Sequence, residues 1–161
     1  MKIHAAFLIL TLAACSPSAD EEEAQAPAAT GAPAPAPPRA ALTAEDIEGA
    51  RLAGELTCAF SERGTRAPLL AASADVDDAA HAEGVLKLGP SAVRLESPAT
   101  GGFNALVKGA MFTSGDLTAN VVVTSPEPRS EGESPPLAAV LELGSEALGT
   151  QRIEGEWTCG P

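Results

Sequence analysis

The side chains able to act as nucleophile, base or ligand are few: three cysteines, Cys15, Cys58 and Cys159, two histidines, and 22 Asp and Glu residues. Cys58 and Cys159 lie too far apart to form a Cys-x-x-Cys redox pair, and neither has a second ligand type close by in sequence, as a metal site needs. His81 is the one histidine beyond the N-terminal leader, so a hydrolytic triad would have to be built around it. The chain contains no Gly-x-Ser-x-Gly, His-Glu-x-x-His or Ser-x-x-Lys, and no phosphate-binding glycine loop. The acids just before His81, Asp75, Asp77 and Asp78, offer oxygens of the kind calcium takes. With Asp75 at position one of an EF-hand loop, however, position six is Ala80 where glycine is needed, and position twelve is Leu86 where glutamate is needed. The segment reads as an exposed acidic loop. A glycosidase-type carboxylate pair would want aromatic platforms for a sugar, and beyond the leader the only aromatics are Phe60, Phe103, Phe112 and Trp157. These patterns point to a protein that is not an enzyme, with no metal and no cofactor.

Cys15 differs from the other two cysteines in its surroundings. Lys2 is followed by an apolar run over residues 5–12 and then by Leu12-Ala13-Ala14-Cys15. A charged start, an apolar stretch too short to span a bilayer, and small residues at a cut site describe a secretory signal peptide over residues 1–14. The tetrad ending in cysteine resembles the lipobox of bacterial lipoproteins. That resemblance implies diacylglyceryl transfer to the Cys15 sulfur, cleavage before Cys15 and acylation of the new amino group, palmitate being a typical chain. Each buried methylene contributes about 0.8 kcal/mol, and two or three chains anchor stably where one does not. The residue after the cysteine is Ser16 rather than aspartate. In that family this implies the outer membrane, with the protein held at its periplasmic face.

Without residues 1–14 the chain keeps 9 basic and 22 acidic side chains, a net charge of 9 − 22 = −13. Nucleic acid and anionic lipid surfaces need clustered Lys and Arg, so neither is an expected partner. The membrane is reached through the lipid at Cys15, and a basic protein is the partner that the charge suits.

Residues 15–41 form the tether. The acidic run Asp20-Glu21-Glu22-Glu23 leads into alternating Ala and Pro from Pro27 to Pro38. Proline withholds backbone donors and biases the chain towards polyproline II, so this stretch reads as a disordered, semi-rigid spacer. Residues 42–161 form a single β-rich domain of ordinary size. The domain opens on a short helix: Thr43 is the N-cap, Asp46 stands in capping-box spacing, Leu42 and Ile47 can staple it, and Gly54 can end it. Period-two patterning then predicts short strands at residues 55–60, 68–73, 84–88, 92–97, 103–108, 110–113, 117–124, 137–143 and 151–159. Gly89-Pro90-Ser91 and Ser114-Gly115-Asp116 turn the chain, and residues 126–136 form a longer polar loop.

Eight or nine short strands at this spacing predict a small antiparallel β-barrel or sandwich. Cys58 shares a phase with Leu56 and Phe60 in the first strand of the series. Cys159 shares one with Ile153, Gly155 and Trp157 in the last. Both point inward, and in an oxidising compartment they pair as a disulfide that joins first strand to last. Trp157 is expected beside that bond, in the core. A lipobox, a spacer and a small all-β domain with one cysteine in its first strand and one in its last is similar to the membrane-bound inhibitors of c-type lysozyme, antiparallel barrels that bind a very basic enzyme. In that family the inhibitory loop is rich in serine and glycine, and Ser97-Pro98-Ala99-Thr100-Gly101-Gly102-Phe103 is the nearest stretch here. The expectation from sequence is a lipid-anchored envelope protein with a non-catalytic binding or structural role. A lysozyme-inhibitor-like module is one alternative, and an envelope hydrolase with a cleft at His81 is another.

Overall fold

The structure, a computed structural model, describes residues 39–160. The leader, Cys15 and the tether up to residue 38 lie outside the described residues. Alternating side chains build nine strands: β1 (Arg39–Ala40), β2 (Leu56–Glu62), β3 (Pro68–Ala74), β4 (His81–Leu88), β5 (Ser91–Thr100), β6 (Met111–Ser114), β7 (Leu117–Pro128), β8 (Leu137–Ser145) and β9 (Gly149–Gly160). Two short helices, α1 (Ala44–Ala50) and α2 (Gly102–Leu106), interrupt them. From β2 to β9 every strand pairs antiparallel with the next in sequence, and β9 returns to β2. The expected barrel or sandwich is therefore an eight-stranded up-and-down barrel with one extra strand. That extra strand is β1, which pairs with β4 at Arg39↔Leu88 and Ala40↔Lys87, on the side that β3 leaves open beyond Leu70↔Leu86.

The inward phase fills the barrel with side chains. Phe60, Phe112 and Trp157 have no solvent exposure, and small residues such as Ala72, Ala74, Ala119 and Ala139 share the interior with them. Alternating large and small residues is how a narrow barrel packs without strain. Gly155 shows how tight the fit is: a Cβ there would stand 2.5 Å from the Phe60 ring and 2.2 Å from the Ser61 carbonyl oxygen. Outside the wall, Leu42, Ala50, Ile47 and Leu52 pack over Ala71 and Val85. β3 is thereby covered on both faces, which accounts for its apolar run 69–72 where a half-exposed strand would alternate.

The α1 capping box forms as expected, with Asp46 N–H donating to the Thr43 hydroxyl and Thr43 N–H donating to the Asp46 carboxylate. Its end differs. Arg51, at φ 48°, takes the left-handed cap position, three residues before Gly54. Gly54, at φ 115°, instead lies against the Ala74 backbone, where a Cβ would come within 2.6 Å of three main-chain atoms.

Residues 103–108, expected as a strand, form the helix α2 and its C-cap Val107. Phe103, Leu106 and Val107 fall at helical spacing, and tertiary bonds fix the outcome. The Phe103 N–H donates to the Asp75 carbonyl and the Gly102 N–H to the Ala80 carbonyl. Leu106 is fully buried, and its carbonyl accepts the Trp157 indole N–H at 3.0 Å. α2 thereby closes one end of the barrel. Boundaries also move, with β4 starting back at His81 and β5 running on to Thr100. β1 lies inside the stretch expected to be tether, so the ordered chain reaches at least to Arg39, and β7 continues past Thr124 to Pro128 across a register shift.

The two ends of the barrel are unlike. One carries tight hairpins such as Gly89-Pro90 and Gly115-Asp116, together with the start of β1. The other carries the acidic 75–80 loop, α2, the 129–136 loop and the last residue of β9.

Candidate functional site

Cys58 and Cys159 are register partners across β2 and β9, joined as a disulfide with Cα atoms 4.0 Å apart. Cys58 is buried and Cys159 is half-buried at the long-loop end, one inward position beyond the fully buried Trp157. The bond thus fastens the seam where the meander meets its own beginning.

His81 opens β4 and is exposed, where the sequence suggested a loop. Its Nδ1 lies 2.9 Å from the Ser97 carbonyl oxygen, a group that can only accept, so Nδ1 carries the proton. The carbonyl needs this partner because the ladder breaks there: β4 and β5 are in register at Glu83↔Glu96 and again at His81↔Thr100, leaving Ser97, Pro98 and Ala99 opposite the single residue Ala82. The Ser97 hydroxyl, on a residue 3 % exposed, serves the same bulge, donating to the Ala99 carbonyl at 3.2 Å and accepting from the Ala99 N–H at 3.3 Å. His81 and Ser97 are therefore neighbours through a backbone carbonyl, with the hydroxyl turned to its own strand.

The acidic loop is exposed as expected, and its polar groups make turns and clamp α2. Asp77 accepts the Ala79 N–H on its carboxylate and the Ala80 N–H on its carbonyl. Asp78 accepts from the Asn104 amide at 3.2 Å, and the Gly102 N–H donates to the Ala80 carbonyl at 3.1 Å. Gly102, at φ 51°, must be glycine, since a Cβ would stand 2.3 Å from the Asp77 carbonyl oxygen and 2.6 Å from that of Asp75. In the stretch that is nearest to the lysozyme-inhibitor loop, Gly102 is buried against the acidic loop and Gly101 is half-buried against Ala105, with Ser97 buried nearby. Among the described residues, no three His, Cys, Asp or Glu side chains converge as a metal ion would require.

Charge is distributed unevenly. Residues 39–160 contain 18 acids and 9 bases, a difference of −9. Six ion pairs engage Arg39, Arg63, Lys87, Arg94, Arg129 and Arg152. Twelve acids (18 − 6) remain outside ion pairs, among them Asp75, Asp77, Asp78, Glu131 and Glu133 on the long-loop end. The most perturbed group is Asp46, whose pKa is lowered to about 2 by the Lys87 ammonium 2.7 Å away and then by the Thr43 N–H and hydroxyl. It ties α1 to β4 and belongs to the scaffold.

Sequence reasoning did not find the opening in the wall between β5 and β6. These strands are in register only at Glu96↔Thr113, and beyond that point a cleft of about 190 Å³ lies between Pro98 and Ala99 on one side and Ala110 and Met111 on the other. Pro98, the residue directly after the strand expected at 92–97 and inside the observed β5, was the available signal, since proline in a sheet marks an edge or a bulge. Comparison with models of protein families, with curated proteins and with solved structures finds no match to this chain.

Proposed function

We propose that this chain is a bacterial lipoprotein, anchored through acylated Cys15 at the periplasmic face of the outer membrane, whose barrel binds a partner and performs no catalysis. One observation carries the non-catalytic part: His81 and Ser97, the histidine and serine brought together by the fold, both stabilise the β5 bulge, His81 through the Ser97 carbonyl and Ser97 through Ala99. The Cys58–Cys159 bond supports an oxidising compartment, because such bonds persist outside the reducing cytosol. The anchor rests on the Leu12-Ala13-Ala14-Cys15 tetrad.

The first test is the intact mass of the protein isolated from bacterial membranes, before and after reduction and alkylation. The expected mass begins at Cys15 and includes acyl chains, with Cys58 and Cys159 alkylated only after reduction. An unprocessed N-terminus or thiols that are free from the start would overturn the reading. The lysozyme-inhibitor alternative is favoured by one observation, a small barrel with its first and last meander strands joined by a disulfide. Architecture alone does not carry function, and the partly buried Gly101 and buried Gly102 oppose it. Loss of c-type lysozyme activity on adding the purified protein would favour that alternative over an unassigned partner.

A further inference from the structure

β5 is in register with β4 at seven positions but with β6 at one. Towards the long-loop end the two strands part, and the resulting cleft has apolar walls at Pro98, Ala99, Ala110 and Met111 above the buried side chains of Ala82 and Leu106. Met111 is 47 % exposed, and Val122, 39 % exposed, stands on the same outward face of the adjoining strand, two residues beyond Asn120, the partner of Met111. An apolar cleft continued by apolar surface on the outer wall is what a folded chain gains nothing from leaving open. Its volume, about 190 Å³, suits one aliphatic or small aromatic side chain, since an apolar cavity of about 150 Å³ holds a benzene-sized group.

Two further features define what fits. The strand edge here is already satisfied: Pro98 has no N–H, the Ala99 N–H and carbonyl are bonded to the Ser97 hydroxyl, and the Ser97 carbonyl is bonded to His81. Strand addition is therefore not the mode, because it depends on free edge donors and acceptors. The surroundings are negative. Exposed Glu96 marks the closed end of the seam, and the exposed Asp75, Asp77 and Asp78 loop is bonded to α2, whose Gly102, Ala105 and Leu106 line the cleft. None of these four carboxylates is in an ion pair. The nearest unpaired cation in sequence, Lys108, lines a separate groove with Val123 and Thr124.

We infer that the β5–β6 cleft is the docking site for an extended segment of a basic protein, which seats one apolar side chain beside Met111 while its flanking cations face Glu96 and the acidic loop. This deepens the non-catalytic binding reading above and does not depend on the anchor. Burial of the apolar side chain supplies the selective contact, and charge complementarity speeds encounter and fixes orientation.

The test uses the full oxidised chain, ¹⁵N-labelled in mild detergent, titrated to millimolar concentration with three synthetic peptides. One alternates lysine and threonine around a central leucine, the second has glycine for the leucine, and the third has glutamate for every lysine. The expected result is amide shifts at residues 97–100 and 110–111 with the first peptide, binding about tenfold weaker with the second, a difference of about 1.4 kcal/mol, and none with the third. Met111→Ser, at an exposed position, should weaken the first peptide to the level of the second while leaving the circular dichroism spectrum unchanged. Absence of shifts, equal response to leucine and glycine peptides, or shifts away from the seam would overturn the proposal. If that happens while the mass still shows lipid on Cys15, the docking surface falls and the anchored reading stands.

Discussion

Cys58→Ala combined with Cys159→Ala removes the covalent closure of the barrel and leaves its hydrogen-bonded closure in place. The bond spans 101 residues of sequence. For a loop of about 100 residues the chain-entropy model assigns about 4.7 kcal/mol at 25 °C, and measured losses for native disulfides run about 2–5 kcal/mol. The folded state should survive, because β2 and β9 still share six register pairs from Thr57↔Gly160 to Glu62↔Gly155. Against a total stability of about 5–15 kcal/mol, however, a loss near 4.7 kcal/mol is about a third or more of the whole. For a domain of this size it corresponds to a drop in Tm of about 10–20 °C. Trp157, the one tryptophan of the chain and fully buried, reports the transition: urea unfolding followed by its emission should give a midpoint well below that of the oxidised protein. Reduction of the unmutated chain should reproduce the shift with both sulfurs retained. A difference under about 1 kcal/mol with an unchanged slope would refute the reasoning, and would mean that the unlinked chain already holds its ends together when unfolded.

Three further outcomes follow from the packing. Gly102→Ala sets a Cβ against the Asp75 and Asp77 carbonyls at a positive φ, so it should loosen α2 and the acidic loop together, seen as faster hydrogen exchange at Phe103 and Ala105. Trp157→Phe removes the indole donor while the Leu106 carbonyl keeps the Gly109 N–H at 2.9 Å, so the lost hydrogen bond should cost about 0.5–1.5 kcal/mol, with a further loss from the space opened in the core, by urea denaturation followed by circular dichroism. Asp46 is held down to about 2, below the ordinary carboxylate range, so its interactions with Lys87 and Thr43 stabilise the fold fully above about 4 and are lost as pH falls towards 2. Asp46→Asn should therefore flatten the fall of Tm across that window, and an unchanged acid limb would show that Asp46 is not a source of it.

The strands were legible wherever one face is buried and the other wet, although barrel and sandwich stayed open. Leu86 and Leu88 alternating with Lys87, or Ile153 and Trp157 alternating with Glu154 and Glu156, require a sheet. The pairing of Cys58 with Cys159 followed from phase and from their places at the two ends of the meander. The Thr43 and Asp46 box was legible because it is local. What could not be read depended on partners distant in sequence. α2 is five residues long, and it is helical because Asp75, Ala80 and Trp157 engage its backbone. β1 is two residues at the edge of a proline-rich stretch and exists through Leu88 and Lys87. The β5 bulge, with His81 as its clamp and the cleft beside it, depends on a register offset that no single strand reveals.

The order of strands has a consequence for how the molecule comes into being. Seven of the eight wall pairings join neighbours in sequence and can form one hairpin at a time; the eighth, β9 with β2, must wait for the last strand. As the chain lengthens, β2 keeps a naked edge throughout, and the growing sheet offers a second one that moves from strand to strand, each able to recruit another copy. The sulfur bridge forms between residues that meet only when β9 arrives, so the oxidised fraction of a population counts finished molecules. A truncation that removes residues 149–160 should therefore yield a sticky open sheet and not a smaller barrel.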